Sequence, residues 1–204
     1  MSRHRRENHR LKTLLAQECA RIIAEEGIQD FRSAKRKAAL RLAVADKTAL
    51  PDNAEIEQAL LDHQRLFHAD RQALQLRSLR ETALEAMRFL ANFRPRLVGP
   101  ALTGAVGLHA DIRLHLFADT PLEILLFLTE RRIPVEIAER RLRMSNGTEV
   151  HAPVFRFSAG DQPIELTVFP PLAEREAPCS PIDGRPMRRA HLAEVEALLT
   201  DGGS

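Results

Sequence analysis

The stretch Arg96–Asp119, RLVGPALTGAVGLHADIRLHLFAD, is where this 204-residue chain changes character. Upstream lies charged, Ala- and Leu-rich sequence; here two short strand-like runs flank a glycine-containing turn. From Asp111 the side chains alternate: Asp111, Arg113 and His115 are polar, and Ile112, Leu114 and Leu116 are apolar. A strand repeats every two residues, so the two sets take opposite faces. One strand is therefore expected to bury its apolar face and to present a carboxylate, a guanidinium and an imidazole on an open one. A face that only met water would more often carry Thr, Lys or Glu. The triplet is thus the leading functional candidate, with an ordinary polar sheet face as the alternative.

Working outward toward the N-terminus, residues 7–26 place Leu11, Leu14, Leu15, Ile22 and Ile23 at helical spacing before Gly27. Asp30 is positioned to cap a second helix, with Phe31, Ala34, Ala38 and Leu42 on one stripe and Arg32, Lys35, Arg36 and Arg41 opposite. After a break at Asp46 to Pro51, near-helical periodicity runs from Ile56 through Leu60, Phe67, Leu79 and Met87 to Phe93. That is long for a globular helix, and a bend or break is expected at Ala69–Asp70. His63 and His68 have no acidic partners at metal-ligand spacing and read as structural.

Working toward the C-terminus, strands are expected near Leu97–Thr103 and at Ile112–Phe117, with a turn over Gly104–Gly107. Thr120 caps a helix whose core reads as Leu122, Leu125, Leu126, Leu128 and Ile133, ended by Pro134. A strand from Val135 to about Met144 leads into Ser145-Asn146-Gly147, where Asn-Gly supplies the positive φ of a tight hairpin. The return strand, Val150–Phe157, contains Pro153 and is therefore expected at an edge or a bulge. Ile164–Phe169 is a further strand. The prolines of residues 170–186 predict an extended arm turning at Asp183-Gly184, and a last helix is expected over Arg189–Leu199.

The expected fold is α+β, with N-terminal helices followed by a small mixed β-sheet that has helices on one face. The expected organisation is a basic helical section over residues 1–50, a long helix or helix pair over 51–94, a mixed-sheet core over 95–170, and a proline-rich arm with a helix over 171–204. Apolar residues make up 44% of the chain and charged residues 28%, ordinary for a globular protein. No apolar run approaches the roughly 18 residues of a membrane span, and no hydrophobic signal region follows the N-terminus, so no membrane partner and a cytoplasmic location are expected. Cys19 and Cys179 lack metal-ligand spacing.

The net charge of +2 hides an asymmetry. Residues 1–47 hold 12 Lys or Arg against 6 Asp or Glu, which leaves 18 against 22 for the rest. A basic arm on an acidic body suits a phosphate-rich partner, and it also suits a solvated helical face. With no Trp or Tyr, stacking on bases would fall to the nine Phe alone. Arg32, Lys35 and Arg36 are the candidate nucleic-acid contacts of this arm.

The sequence contains no phosphate-binding G-x-x-x-x-G-K-[ST] loop, no G-x-G-x-x-G and no G-x-S-x-G. What remains is the order helix, strand, turn, strand, helix and three strands, with acidic residues on the second strand and the last. Strand, glycine turn, then Asp111-Ile112-Arg113-Leu114, followed by Ile164-Glu165-Leu166-Thr167, resembles the nucleotidyltransferase fold of the DNA polymerase beta superfamily over about residues 80–170. The resemblance implies that Leu102-Thr103-Gly104-Ala105 or Val98-Gly99-Pro100 holds a triphosphate. It further implies that Asp111 and Glu165 are catalytic and bind Mg2+, and that Gly104, Arg113 and His115 bind a nucleotide. Arg113 stands where that family has its second metal carboxylate, and neither Gly99 nor Gly104 is followed by Ser or Gly. An arginine there repels a second ion and can neutralise phosphate directly.

Three outcomes follow: a nucleotidyltransferase-like protein that binds a nucleoside triphosphate and transfers a nucleotide to an RNA or protein acceptor, a nucleotide or RNA binder without chemistry, or a scaffold. The alternative to all nucleotide readings is a nucleic-acid- or protein-binding module acting through the basic N-terminal helices. Other basic candidates are Arg140, Arg141 and Arg143 beside the hairpin, and Arg185, Arg188 and Arg189 on the arm, which could reach over the sheet. His109 is a candidate proton carrier.

Overall fold

The computed structural model describes residues 2–28, 30–44, 49–67, 69–107 and 110–200, with the side chains of 2–7, 66, 67 and 69–71 left out. His68 and His109 lie outside the described residues. Residues 1–73, 105–110 and 181–183 form one compact unit, and residues 74–104, 111–180 and 184–204 form another.

The first unit is built from α1 (Ser2–Glu26), α2 (Phe31–Arg41) and α3 (Asn53–Phe67). Asp30 caps α2 as the sequence predicts, its carboxylate accepting from the backbone N–H groups of Arg32 and Ser33 at 3.3 and 2.8 Å. The helices pack through Leu15, Cys19, Ile22, Ile56 and Leu60, and the small Ala20, Ala34 and Ala38 lie in the same fully buried cluster. Burying each Leu or Ile stabilises the unit by roughly 1.5–3 kcal/mol. Residues 105–107 pass so close to α1 that a Cβ on Gly107 would stand 2.9 Å from the Ile23 carbonyl oxygen. Gln64, buried on α3, donates to the Val106 carbonyl and fixes that segment. Cys19 sits in this apolar cluster, and burial pushes its thiol up to about 11.

The second unit is α+β. The long helical stretch is described as α3, to Phe67, and α4 (Ala69–Phe89). Then come β1 (Arg96–Val98), α5 (Pro100–Thr103), β2 (Ile112–Phe117), α6 (Pro121–Glu130), β3 (Glu136–Arg143), β4 (Glu149–Ala159), β5 (Gln162–Phe169) and α7 (Leu192–Thr200). The strands form one sheet in the order β1-β2-β5-β4-β3. Among the described strands only β2 and β5 pair in parallel, with Arg113 opposite Glu165 and His115 opposite Thr167. Leu97, Ile112, Leu114, Leu116, Ile164, Leu166 and Val168 occupy the apolar face and are buried. Leu79, Ala83 and Met87 of α4, Ile124 and Leu128 of α6, and Val195 of α7 complete the interior.

Four local expectations need correction. The strand expected over Leu97–Thr103 stops at Val98, because Gly99 turns the chain with φ +71° and Pro100, preset for helix and lacking an N–H, opens α5. Pro153 lies in β4, which is interior rather than at an edge. Pairing of β4 with β5 begins only at Val154, so the missing N–H falls where that ladder stops. On α6, Leu122 and Leu126 are exposed and Leu125 half-buried; ten residues carry more leucines than one sheet-facing stripe holds, and the buried pair is Ile124 and Leu128 at i, i+4. The last helix begins at Leu192, where Glu194 accepts from the His191 backbone N–H at 2.7 Å. By contrast, the carboxylate of Glu123 accepts from the Thr120 N–H at 2.9 Å, so the expected cap of α6 forms. The Asn146-Gly147 turn joins β3 to β4, with Gly147 at φ +88°.

Candidate functional site

The face of the sheet opposite the helices carries Arg113 and His115 from β2, Glu165 and Thr167 from β5, Arg156 from β4 and Arg140 from β3, as strand periodicity requires. Glu165 is at its centre and is 5% exposed. A carboxylate so buried needs compensating charge, and two arginines supply it. Arg140 Nη2 donates to Oε2 at 2.7 Å and Arg156 Nε to the same oxygen at 3.1 Å, while Arg140 Nη1 lies 2.6 Å from Oε1 as an ion pair and Oε1 accepts no hydrogen bond from a described residue. Arg156 also reaches Glu136 at 3.2 Å, and the bond to Glu165 holds its guanidinium above the usual arginine range. Arg113 stands directly across from Glu165 in register, and its Nη2 lies 3.6 Å from Asp111 Oδ2.

The other end of this face is covered. The 3-10 turn at Pro171–Glu174 and the segment holding Arg189 and Ala190 meet there, with backbone bridges between Met144 and Pro178 and between Leu97 and Ala190. Arg189 enters from this arm. Its Nε donates to His115 Nδ1 at 3.0 Å, and its Nη1 donates to the carbonyls of Ala173, Glu176 and Glu174 at 2.8, 3.2 and 3.3 Å. The guanidinium carbon lies 5.1 Å from the ring centres of both Phe117 and Phe169. Burial lowers Arg189 to about 10. His115 is 4% exposed; desolvation first, then the charges of Arg189 and Arg140, push its imidazole down to about 3, so it is neutral near pH 7. Accepting from Arg189 at Nδ1, it carries its proton on Nε2. The open polar face expected at Asp111, Arg113 and His115 is therefore open only at its Asp111–Arg113 end.

Of the sequence-derived candidates, Arg113 and Glu165 come together, with Asp111 beside Arg113. Gly104 does not join them through a free amide: it is the αL cap of α5, and its N–H donates to the Pro100 carbonyl at 2.8 Å. The glycine nearest the site is Gly99, whose Cβ position lies 3.5 Å from Arg113 Cδ. Arg32 and Arg36 are exposed and Lys35 is half-buried on α2 in the other unit. Two surface hollows, of about 490 and 360 Å3, lie elsewhere and are lined by none of Asp111, Arg113, His115 and Glu165. Sequence reasoning missed Arg156, although Arg156 and Glu165 sit on consecutive strands at positions a hairpin pairs.

The donor set does not suit a magnesium pair. Mg2+ wants several anionic or neutral oxygens in an octahedron. Glu165 is ion-paired to Arg140 and Arg156, and Arg113, its neighbour in register, has its Nη2 3.6 Å from Asp111. Among the described residues no three His, Cys, Asp or Glu side chains gather around a common point. What this arrangement can do chemically is hold an anion: three guanidiniums share the face with one buried carboxylate, and guanidinium forks match phosphate oxygens. No protein-family model matches the chain, and a search of curated proteins found no relative.

Proposed function

We propose that the second unit is nucleotidyltransferase-like and binds the phosphates of a nucleoside triphosphate at the Arg113 end of its polar sheet face. The observation that supports this reading best is that Arg113, Arg140 and Arg156, from three strands, share one sheet face, the last two paired to Glu165 and Arg113 beside it in register. The order of elements from α4 to β5 and the spacing of Asp111 and Glu165 are what the resemblance to the DNA polymerase beta superfamily rests on. Binding is the activity carried forward; transfer of the nucleotide to an RNA or protein acceptor would depend on Asp111. Glu165 and His115 serve as supports, the first orienting two arginines and the second receiving the arm. Thermal unfolding against ATP, GTP, CTP and UTP tests the reading. A nucleotide at 100 times its dissociation constant adds about 2.7 kcal/mol of stability. The shift is expected in the native chain and absent in Arg113→Gln; no shift with any nucleotide overturns the reading.

A second reading, binding of a nucleic acid by α2, is favoured by one observation. Lys37 and Arg41 are held by Glu26 and Glu18, whereas Arg32, Lys35 and Arg36 have no ion pair with any described residue. Three phosphate contacts predict an affinity for duplex DNA that falls with a log–log salt slope of about −2.7. A slope near zero, or no binding, removes this reading.

A further inference from the structure

Resting on the nucleotide-binding reading above, we infer that the site takes its polyphosphate as a metal-free anion, with Arg113, Arg140 and Arg156 in place of magnesium and Glu165 as a positioning residue. The argument begins with Glu165. Its side chain is 6% exposed, and a carboxylate at that depth binds whichever cations the fold supplies first. The fold supplies two: Arg140 Nη2 and Arg156 Nε donate to Oε2 at 2.7 and 3.1 Å, and Arg140 Nη1 stands 2.6 Å from Oε1 as an ion pair, without the angle of a hydrogen bond. Arg156 is the cross-strand partner of Glu165 in the β4–β5 ladder, so this contact is built into strand register. Displacing the arginines to admit a metal would leave two guanidiniums without their shared counter-charge. Arg113, opposite Glu165 in register on the β2 side, adds a third cation to the face, with its Nη2 3.6 Å from Asp111, the other acidic residue a metal would need.

The same residues that exclude a cation suit an anion. A guanidinium has five N–H donors in a rigid plane; Glu165 accepts from Arg140 Nη2 and Arg156 Nε, Arg140 Nη1 is in ion-pair contact with it, and Glu136 accepts from Arg156 Nη1. The remaining donors belong to side chains 35% and 41% exposed, held in place from below by a carboxylate that fixes their rotamers. Preorganisation of this kind lowers the cost of ordering long side chains on binding. Polyphosphate and the phosphates of a nucleotide share this chemistry, and the experiment separates them.

Isothermal titration of the full chain with ATP and with inorganic tripolyphosphate, each in EDTA and in excess Mg2+, tests the inference. Magnesium competes for the same phosphate oxygens, so ATP is expected to bind at least threefold more tightly in EDTA than in Mg2+. Arg113→Gln, which leaves the Glu165 pairs intact, should weaken binding tenfold or more in EDTA. Glu165→Gln should weaken EDTA binding without creating or removing a dependence on Mg2+, a readout that a purely structural loss would not leave unchanged. Tighter binding of ATP than of tripolyphosphate supports the nucleotide as ligand, and equal affinities keep the inference with polyphosphate as the ligand class. Binding that requires Mg2+ and disappears in Asp111→Asn overturns the inference while leaving the nucleotide reading standing. No binding of either compound in any buffer overturns both.

Discussion

At the Arg113 end of the polar sheet face two guanidiniums grip one buried carboxylate and a third stands opposite it. At the His115 end a single guanidinium lies among three carbonyls, an imidazole and two phenyl rings, with no carboxylate among its hydrogen-bond partners. The two ends belong to the same strands, only one pleat apart. One is compensated by charge and stays partly open; the other is compensated by carbonyl dipoles and by cover from the arm. Charge pairing fixes side chains while leaving donors outward, which suits a binding surface. Cover fixes them by removing water, which suits a latch.

The covered end should give the largest effect, through pH. His115 is neutral when folded, with its imidazole lowered to about 3, but takes up a proton near 6.5 when unfolded. Between those values the unfolded chain binds the extra proton, so stability rises with pH across the window and is lost as pH falls below 6.5 toward 3. The loss is about 1.4 kcal/mol for each pH unit. Urea unfolding at pH 7, 6, 5 and 4 measures it, and His115→Gln should flatten the profile. An unchanged slope in that variant would place the acid sensitivity elsewhere.

The open end answers to its carboxylate. Breaking a buried ion pair by removing one partner costs about 3–5 kcal/mol, and because Arg140 and Arg156 are more than a third exposed, water screens part of that. Glu165→Ala is therefore expected to cost about 2–3 kcal/mol in urea unfolding at pH 7. A loss under about 0.5 kcal/mol would mean the arginines are solvated well enough without it. Next in size is Arg189→Met, which keeps the stem on Phe117 and Phe169 but leaves carbonyls of the arm and His115 Nδ1 unsatisfied, at about 1–3 kcal/mol. The same change removes the nearest charge opposing protonation of His115, so it should also narrow the acid-sensitive window.

Which parts of this contrast were legible in sequence follows from their range along the chain. The alternation from Ile112 to Phe117, the cap at Asp30 and the turn at Asn146-Gly147 are set by neighbours a few residues apart, and each formed where the pattern puts it. The polar side of β2 was legible as a face but not as two halves, because the cover over His115 comes from Arg189, 74 residues later. Arg140 and Glu165 lie 25 residues apart, and no periodicity within either strand says that an arginine of β3 reaches across β4 to Glu165. Glycine positions were legible without their roles: the sequence favoured Gly104 for the phosphate turn, yet Gly104 caps α5 and Gly99 is the one that comes against Arg113.

The smallest expected effect sharpens the comparison most, because it keeps the arginine and changes only the depth of its partner. Arg156 bonds both Glu165, which is buried, and Glu136, whose side chain is 70% exposed. An exposed pair gains little, since water solvates both ions nearly as well and two long side chains must be ordered to make it. Glu136→Ala should therefore cost less than about 0.5 kcal/mol in urea unfolding and leave polyphosphate affinity unchanged or slightly tighter, having removed one negative charge from the rim. If Glu136→Ala instead cost as much as Glu165→Ala, depth would not be what holds Arg156, and the guanidinium would owe its position to the rim of the sheet rather than to its centre.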